Sequence, residues 1–99
     1  MKKCRITVVK KVWHKDLSEK YEKPISHACD MEEGEVFEVL DCQKPDGFCD
    51  SAWVSIYPYV FALASGAENL YDGWMINKRS AMVSCSDGFR PVSFLIETI

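Results

Sequence analysis

Asp50-Ser51-Ala52-Trp53-Val54-Ser55-Ile56-Tyr57-Pro58-Tyr59-Val60-Phe61-Ala62-Leu63-Ala64-Ser65-Gly66 is the stretch that decides the fold. It predicts a helix from Ser51 to Ser65, with Asp50 as its N-cap and Gly66 as its C-terminal stop. Trp53, Tyr57, Val60 and Ala64 hold one apolar stripe, and Trp53, Ile56, Val60 and Leu63 are expected in the core. Pro58 removes the hydrogen bond to the Val54 carbonyl. A kinked single helix accounts for this better than two helices meeting near Pro58, because the stripe runs through. No residue from Ser51 to Ala67 is charged. As a helix that span would cover roughly 25 Å, short of the ~30 Å hydrocarbon core of a bilayer. Burial in the domain or at a subunit contact is the expectation, not a membrane.

Strands flank this helix on both sides. Cys4 to Val9 alternates, with Cys4, Ile6 and Val8 on one face and β-branched residues throughout. Asp16 to Glu22 reads as a short helix capped by Asp16, with Leu17 and Tyr21 at i,i+4, and Lys23-Pro24 ends it. Pro24 to Glu33 is a connector carrying His27 and Cys29. Gly34 turns the chain into a second strand, Glu35 to Asp41, with Phe37 and Val39 on one face. After a mixed loop from Ala67 to Ser80, a hairpin closes the chain. Its arms are Ala81 to Cys85 and Pro91 to Ile99, joined at Ser86-Asp87-Gly88-Phe89. The expected architecture is one α+β domain over residues 1–99. A mainly antiparallel sheet of about four strands packs against one long apolar helix, with a short helix beside it. That helix is apolar almost all round, and one sheet face cannot cover it, so a homo-oligomer through the helix is expected.

Ninety-nine residues leave no room for a second core. An apolar fraction of 47% supplies one without a metal or disulfide. The net charge of −3 argues against nucleic acid, which leaves a basic stripe on its binders. Met1 to Arg5 resembles a signal-peptide start, but Lys10-Lys11 interrupt the apolar stretch that follows. Five cysteines, an odd number, cannot complete an intramolecular disulfide framework. Both facts point to a cytoplasmic protein with reduced thiols.

The thiols lie at 4, 29, 42, 49 and 85, with no Cys-x-x-Cys pair, so neither a zinc ribbon nor a thioredoxin-type motif is present. Cys29, Cys49 and Cys85 each sit beside a turn and are expected to converge. With His27 they would form a metal site. No cofactor is required by the sequence, and a metal ion is the one the cysteines would suit. Cys4, on an apolar strand face, reads as core filler. Cys49 precedes the expected helix N-terminus, where free amides and the dipole acidify a thiol, and Asp50 opposes this. Beneath the turn, Cys49 would instead be a packing residue. Arg90 could clamp a carboxylate or phosphate beside Asp87. In the simpler reading Asp87 shapes the turn and Arg90 pairs with it, with another carboxylate or with solvent. Trp53 reads as helix-stripe core that also lines the site, and Trp74 as lining a pocket or interface.

Gly47-Phe48-Cys49-Asp50-Ser51-Ala52-Trp53 and Cys85-Ser86-Asp87-Gly88-Phe89-Arg90-Pro91-Val92 together resemble a family of small bacterial and archaeal proteins of similar length. The likeness runs along nearly the whole chain, through Ile6-Thr7-Val8 and Glu33-Gly34-Glu35-Val36-Phe37. It implies that Cys29, Cys49, Asp50, Trp53, Cys85, Asp87, Gly88, Arg90 and Pro91 occupy motif positions, and that His14 and Cys42 do not. The family has no assigned reaction, so the resemblance implies one intact domain and supplies no chemistry. Where members often carry a second cysteine before Cys85 this chain has Ser84, which removes a metal ligand or resolving thiol. Where they often carry proline after Cys29 it has Asp30.

Three functions follow as alternatives. The first is a binding or accessory protein with a pocket lined by Cys49, Trp53, Cys85 and Arg90, holding a small anion or a metal. The second is a small enzyme using Cys49 or Cys85 as nucleophile or acid/base, assisted by Asp50, Asp87 or Arg90. The third is a structural interaction module.

Overall fold

A computed structural model describes residues 1–25 and 29–99. The elements run β1 (Cys4–Lys11), α1 (Lys15–Tyr21), β2 (Val36–Val39), α2 (Asp50–Ala64), α3 (Leu70–Gly73), β3 (Ser80–Ser84) and β4 (Val92–Thr98). Four strands make one antiparallel sheet in the order β2-β1-β4-β3. The expected α+β class and four-stranded antiparallel sheet are found. The single long apolar helix is not: α2 has fifteen residues and is one of three helices among the described residues. No helix there is long and apolar enough to cross a membrane.

Alternation along the two central strands builds the floor of the core. Cys4, Ile6 and Val8 of β1 and Val92, Phe94 and Ile96 of β4 are all buried on one sheet face. A bulge between Val8 and Lys10 lets β1 continue beside β4 as far as Lys11, two residues beyond the expected end. Ala52, Ile56, Val60, Leu63 and Ala64 of α2 cover this face. Tyr57, expected in that stripe, is exposed instead, and Trp53 is only half-buried. The helical period explains the shift, since Ile56, Val60 and Leu63 form a tighter i,i+4,i+7 row than the aromatic one.

The helix starts one residue early. Cys49, with φ −61° and ψ 125°, is its N-cap, and Asp50 lies in the first turn. Lys44 draws the Asp50 carboxylate outward (Nζ–Oδ1 2.9 Å), away from a capping position. At the other end Gly66 takes φ +97°. Its N–H donates to the Leu63 carbonyl (3.0 Å) and the Ala67 N–H to that of Ala62 (2.9 Å), which closes the helix as a Schellman motif. Between these ends α2 is unbroken through Pro58. Pro58 is exposed, so the carbonyl it leaves unpaired lies on the side where water can serve it.

α1 begins at Lys15 with His14, not Asp16, at its N-cap. Its Leu17–Tyr21 pair points outward, and Ser18 is the buried residue. The Trp13 indole N–H donates to Ser18 Oγ at 2.9 Å, and this contact chooses the face. β2 is shorter than expected because Asp41 and Cys42 both take left-handed φ (50° and 58°) in a turn closed by Gln43 N–H to Leu40 O.

Candidate functional site

Cys29, Cys49 and Cys85 come from three separate segments and line one cavity of about 70 Å³. Each is placed by a local rule. Cys49 is held at the head of α2 by the start of the helix. Cys85 follows β3, where its N–H bonds the Val92 carbonyl (3.1 Å) while its Sγ accepts from the Val92 N–H (3.3 Å). Cys29 is tied to β1 through its carbonyl, which accepts from Lys11 Nζ (3.2 Å). The floor is apolar, made by Met31, Ala52, Val92 and Phe94. All five cysteines are free thiols.

Cys49 is the electrostatically distinct thiol. Its pKa is lowered first by the Ser51 hydroxyl, 3.3 Å from Sγ, and then by the first-turn amides of Ala52 and Ser51. Partial burial and the Asp50 charge oppose this without reversing it. Sγ makes no side-chain capping hydrogen bond, so the first-turn amides favour the thiolate as oriented dipoles. Cys4 behaves in the opposite way. Burial beneath the sheet, followed by neighbouring Cys42, pushes its pKa up, as expected of a core filler.

The turn beside Cys85 is built as its sequence requires. Asp87 Oδ1 accepts from the backbone N–H groups of Phe89 (2.8 Å) and Arg90 (3.1 Å). Its carboxylate therefore shapes the turn. Arg90 is not a free anion clamp. Its Nη1 donates to both oxygens of Glu22, at 2.8 and 2.9 Å, and its guanidinium lies 5.3 Å from the centre of the Trp13 ring. The carboxylate that pairs with Arg90 is thus Glu22 at the end of α1 and not Asp87. Arg90 still lines the thiol cavity. With Cys29 it also borders a neighbouring cavity of about 140 Å³ walled by Lys11, Val12 and Trp13.

Two expected site residues stand apart. Trp53 packs edge-on against Phe48 (ring centres 5.9 Å) and beside Tyr57 (5.5 Å), away from the cavity wall. Asp50 carries an exposed carboxylate paired to Lys44. Trp74 is exposed and lines none of these cavities.

Sequence reasoning missed Ser51, Met31 and Glu22. Ser51 had a readable signal, a hydroxyl two residues into the helix from Cys49. Met31 and Glu22 reach the site only through tertiary packing.

No protein-family model, curated protein or solved structure matches this chain.

Among the described residues no three His, Cys, Asp or Glu side chains are grouped so as to hold a metal ion. Cys29, Cys49 and Cys85 share a wall without forming a coordination set. His27, expected as a fourth ligand, lies outside the described residues. The arrangement provides one acidified thiol, two further thiols facing the same space, and an apolar floor.

Proposed function

We propose that this is a thiol-reactive protein in which Cys49 is the nucleophile toward a small disulfide or similar soft electrophile held in the cavity. The observation that carries this reading is the acidified Cys49 thiol opening into a space also walled by Cys29 and Cys85. The Cys49 thiolate attacks one sulfur of the disulfide R–S–S–R. A Cys49–S–S–R bond forms, the original S–S bond breaks, and RS⁻ leaves and takes a proton. Cys29 or Cys85 then attacks Cys49 Sγ. The second RS⁻ departs and an internal disulfide remains, so the protein has lost two electrons and the ligand has gained them. Such chemistry suits a reducing compartment, and we place its action in the cytosol. An anion-binding role loses its main support because Arg90 is committed to Glu22.

A soft metal ion is the second reading. It rests on the Met31 thioether lining the cavity with the three cysteines, since such sulfur donors favour Cu(I). It would require the sulfurs to draw together on loading.

The test is to treat the reduced Cys29→Ser/Cys85→Ser protein, which lacks the resolving thiols, with one equivalent of 2-hydroxyethyl disulfide and locate the adduct by peptide mass spectrometry. The first adduct is expected on Cys49, and Cys49→Ser should abolish it. A first adduct on another cysteine, or equal labelling of all exposed thiols, rejects the proposal.

A further inference from the structure

We propose that the disulfide attacked by Cys49 is that of a small thiol ending in a carboxylate, with its leaving half lodged between Lys11 and Trp13. The inference rests on Cys49 being the nucleophile, as proposed above, and names the class of substrate.

The thiol cavity, at about 70 Å³, has room for two or three water-sized groups of roughly 30 Å³ each. That takes the reacting sulfurs and little more. The neighbouring cavity of about 140 Å³ is lined by Cys29 and Arg90 as well, whereas Cys49 lines only the first. Thiolate attack on a disulfide sets the three sulfurs nearly in line, so the leaving sulfur lies on the far side of the attacked one from Cys49. The space for its substituent is the second cavity, reached past Cys29.

Charge selects what that substituent is. Lys11, Val12, Trp13, Cys29 and Arg90 wall the second cavity, with no acid among them. Glu22 neutralises Arg90. Lys11 pairs with no carboxylate among the described residues. Its Nζ donates to the Cys29 carbonyl (3.2 Å), and Glu33 accepts the Lys11 backbone N–H (2.8 Å), not the ammonium. An ammonium has further protons to give. Asp87, the acid lining the first cavity, accepts from the Phe89 and Arg90 backbone N–H groups. Val12 and Trp13 suit a short apolar stem, and Lys11 suits an anion at its end. Cys49 Sγ bonds to the nearer sulfur, and the S–S bond breaks with its electron pair going to the leaving sulfur. The carboxylate-bearing RS⁻ departs past Lys11 and takes a proton from water.

The test compares rates of Cys49 adduct formation in the reduced Cys29→Ser/Cys85→Ser protein for three disulfides. They are anionic 3,3′-dithiodipropionate, neutral 2-hydroxyethyl disulfide and cationic cystamine, each rate divided by that of a free cysteine peptide. Dithiodipropionate should gain about threefold or more over 2-hydroxyethyl disulfide, and cystamine should lose. Both differences should shrink in about 0.5 M salt. Lys11→Met should erase the gain and Lys11→Arg should keep it. Equal relative rates for the three disulfides overturn this inference and leave Cys49 as the nucleophile. A gain that survives Lys11→Met overturns it too. No Cys49 adduct with any of the three overturns the reading on which it rests.

Discussion

Arg90 and Glu22, 68 positions apart, are joined through one guanidinium nitrogen to both carboxylate oxygens, at 2.8 and 2.9 Å. The pair ties the end of α1 to the turn that follows Cys85. Both side chains are largely buried (21% and 16% exposed), so solvent screens the contact little.

Replacing Arg90 by lysine should therefore destabilise the fold. Lysine keeps the charge but loses the planar fork and the contact with Trp13. A cost of about 1–3 kcal/mol in urea unfolding is expected. Glu22→Gln should cost a similar amount, and the double variant should show strong non-additivity. An unchanged midpoint in both single variants would mean that the pair does not hold the turn.

Leu63 and Val54 lie on the same helix with opposite burial. Leu63 is fully enclosed between α2 and the sheet, and Leu63→Ala should cost roughly 2–5 kcal/mol. Val54→Ala, on the solvent side, should stay within about 0.5 kcal/mol in dilute protein. Equal effects would mean that the helix is turned the wrong way.

Cys4 makes stability depend on alkaline pH. Burial raises its folded pKa above the unfolded thiol value, so the fold favours the neutral form. That contribution is complete below the unfolded thiol pKa and is lost as pH rises through the folded one. Tyr71, also raised by burial, acts in the same direction at higher pH. Cys49, whose folded pKa is lowered, acts the other way in both proteins, so the test is the difference: from about pH 7 to about pH 10 the urea midpoint of wild type should fall relative to that of Cys4→Ala. Parallel slopes would remove Cys4 as a cause.

Most of the sheet was legible in the chain because alternation is a local signal. Cys4-x-Ile6-x-Val8 and Val92-x-Phe94-x-Ile96 announce their buried face without knowledge of partners. The Asp87-Gly88 turn and the Gly66 stop are local too, and both lie where expected. The convergence of Cys29, Cys49 and Cys85 was expected from their positions beside turns. The faces of α2 were harder to read, because a helix with apolar residues on every side offers two rows and only the sheet selects one. The fate of Arg90 was not legible. Nothing near it in sequence announces Glu22, and the pairing depends on where α1 docks.

Thiol chemistry at this cavity requires Cys49 to be its acidified thiol, and site-resolved alkylation against pH measures this directly. With iodoacetamide and peptide mass spectrometry, Cys49 should react first near neutral pH, with a rate inflection below the ordinary thiol range. Ser51→Ala should move that inflection upward, since the Ser51 hydroxyl is the largest cause of the shift. A Cys49 profile at or above the ordinary range, or one unmoved by Ser51→Ala, would contradict an acidified Cys49 held so by Ser51.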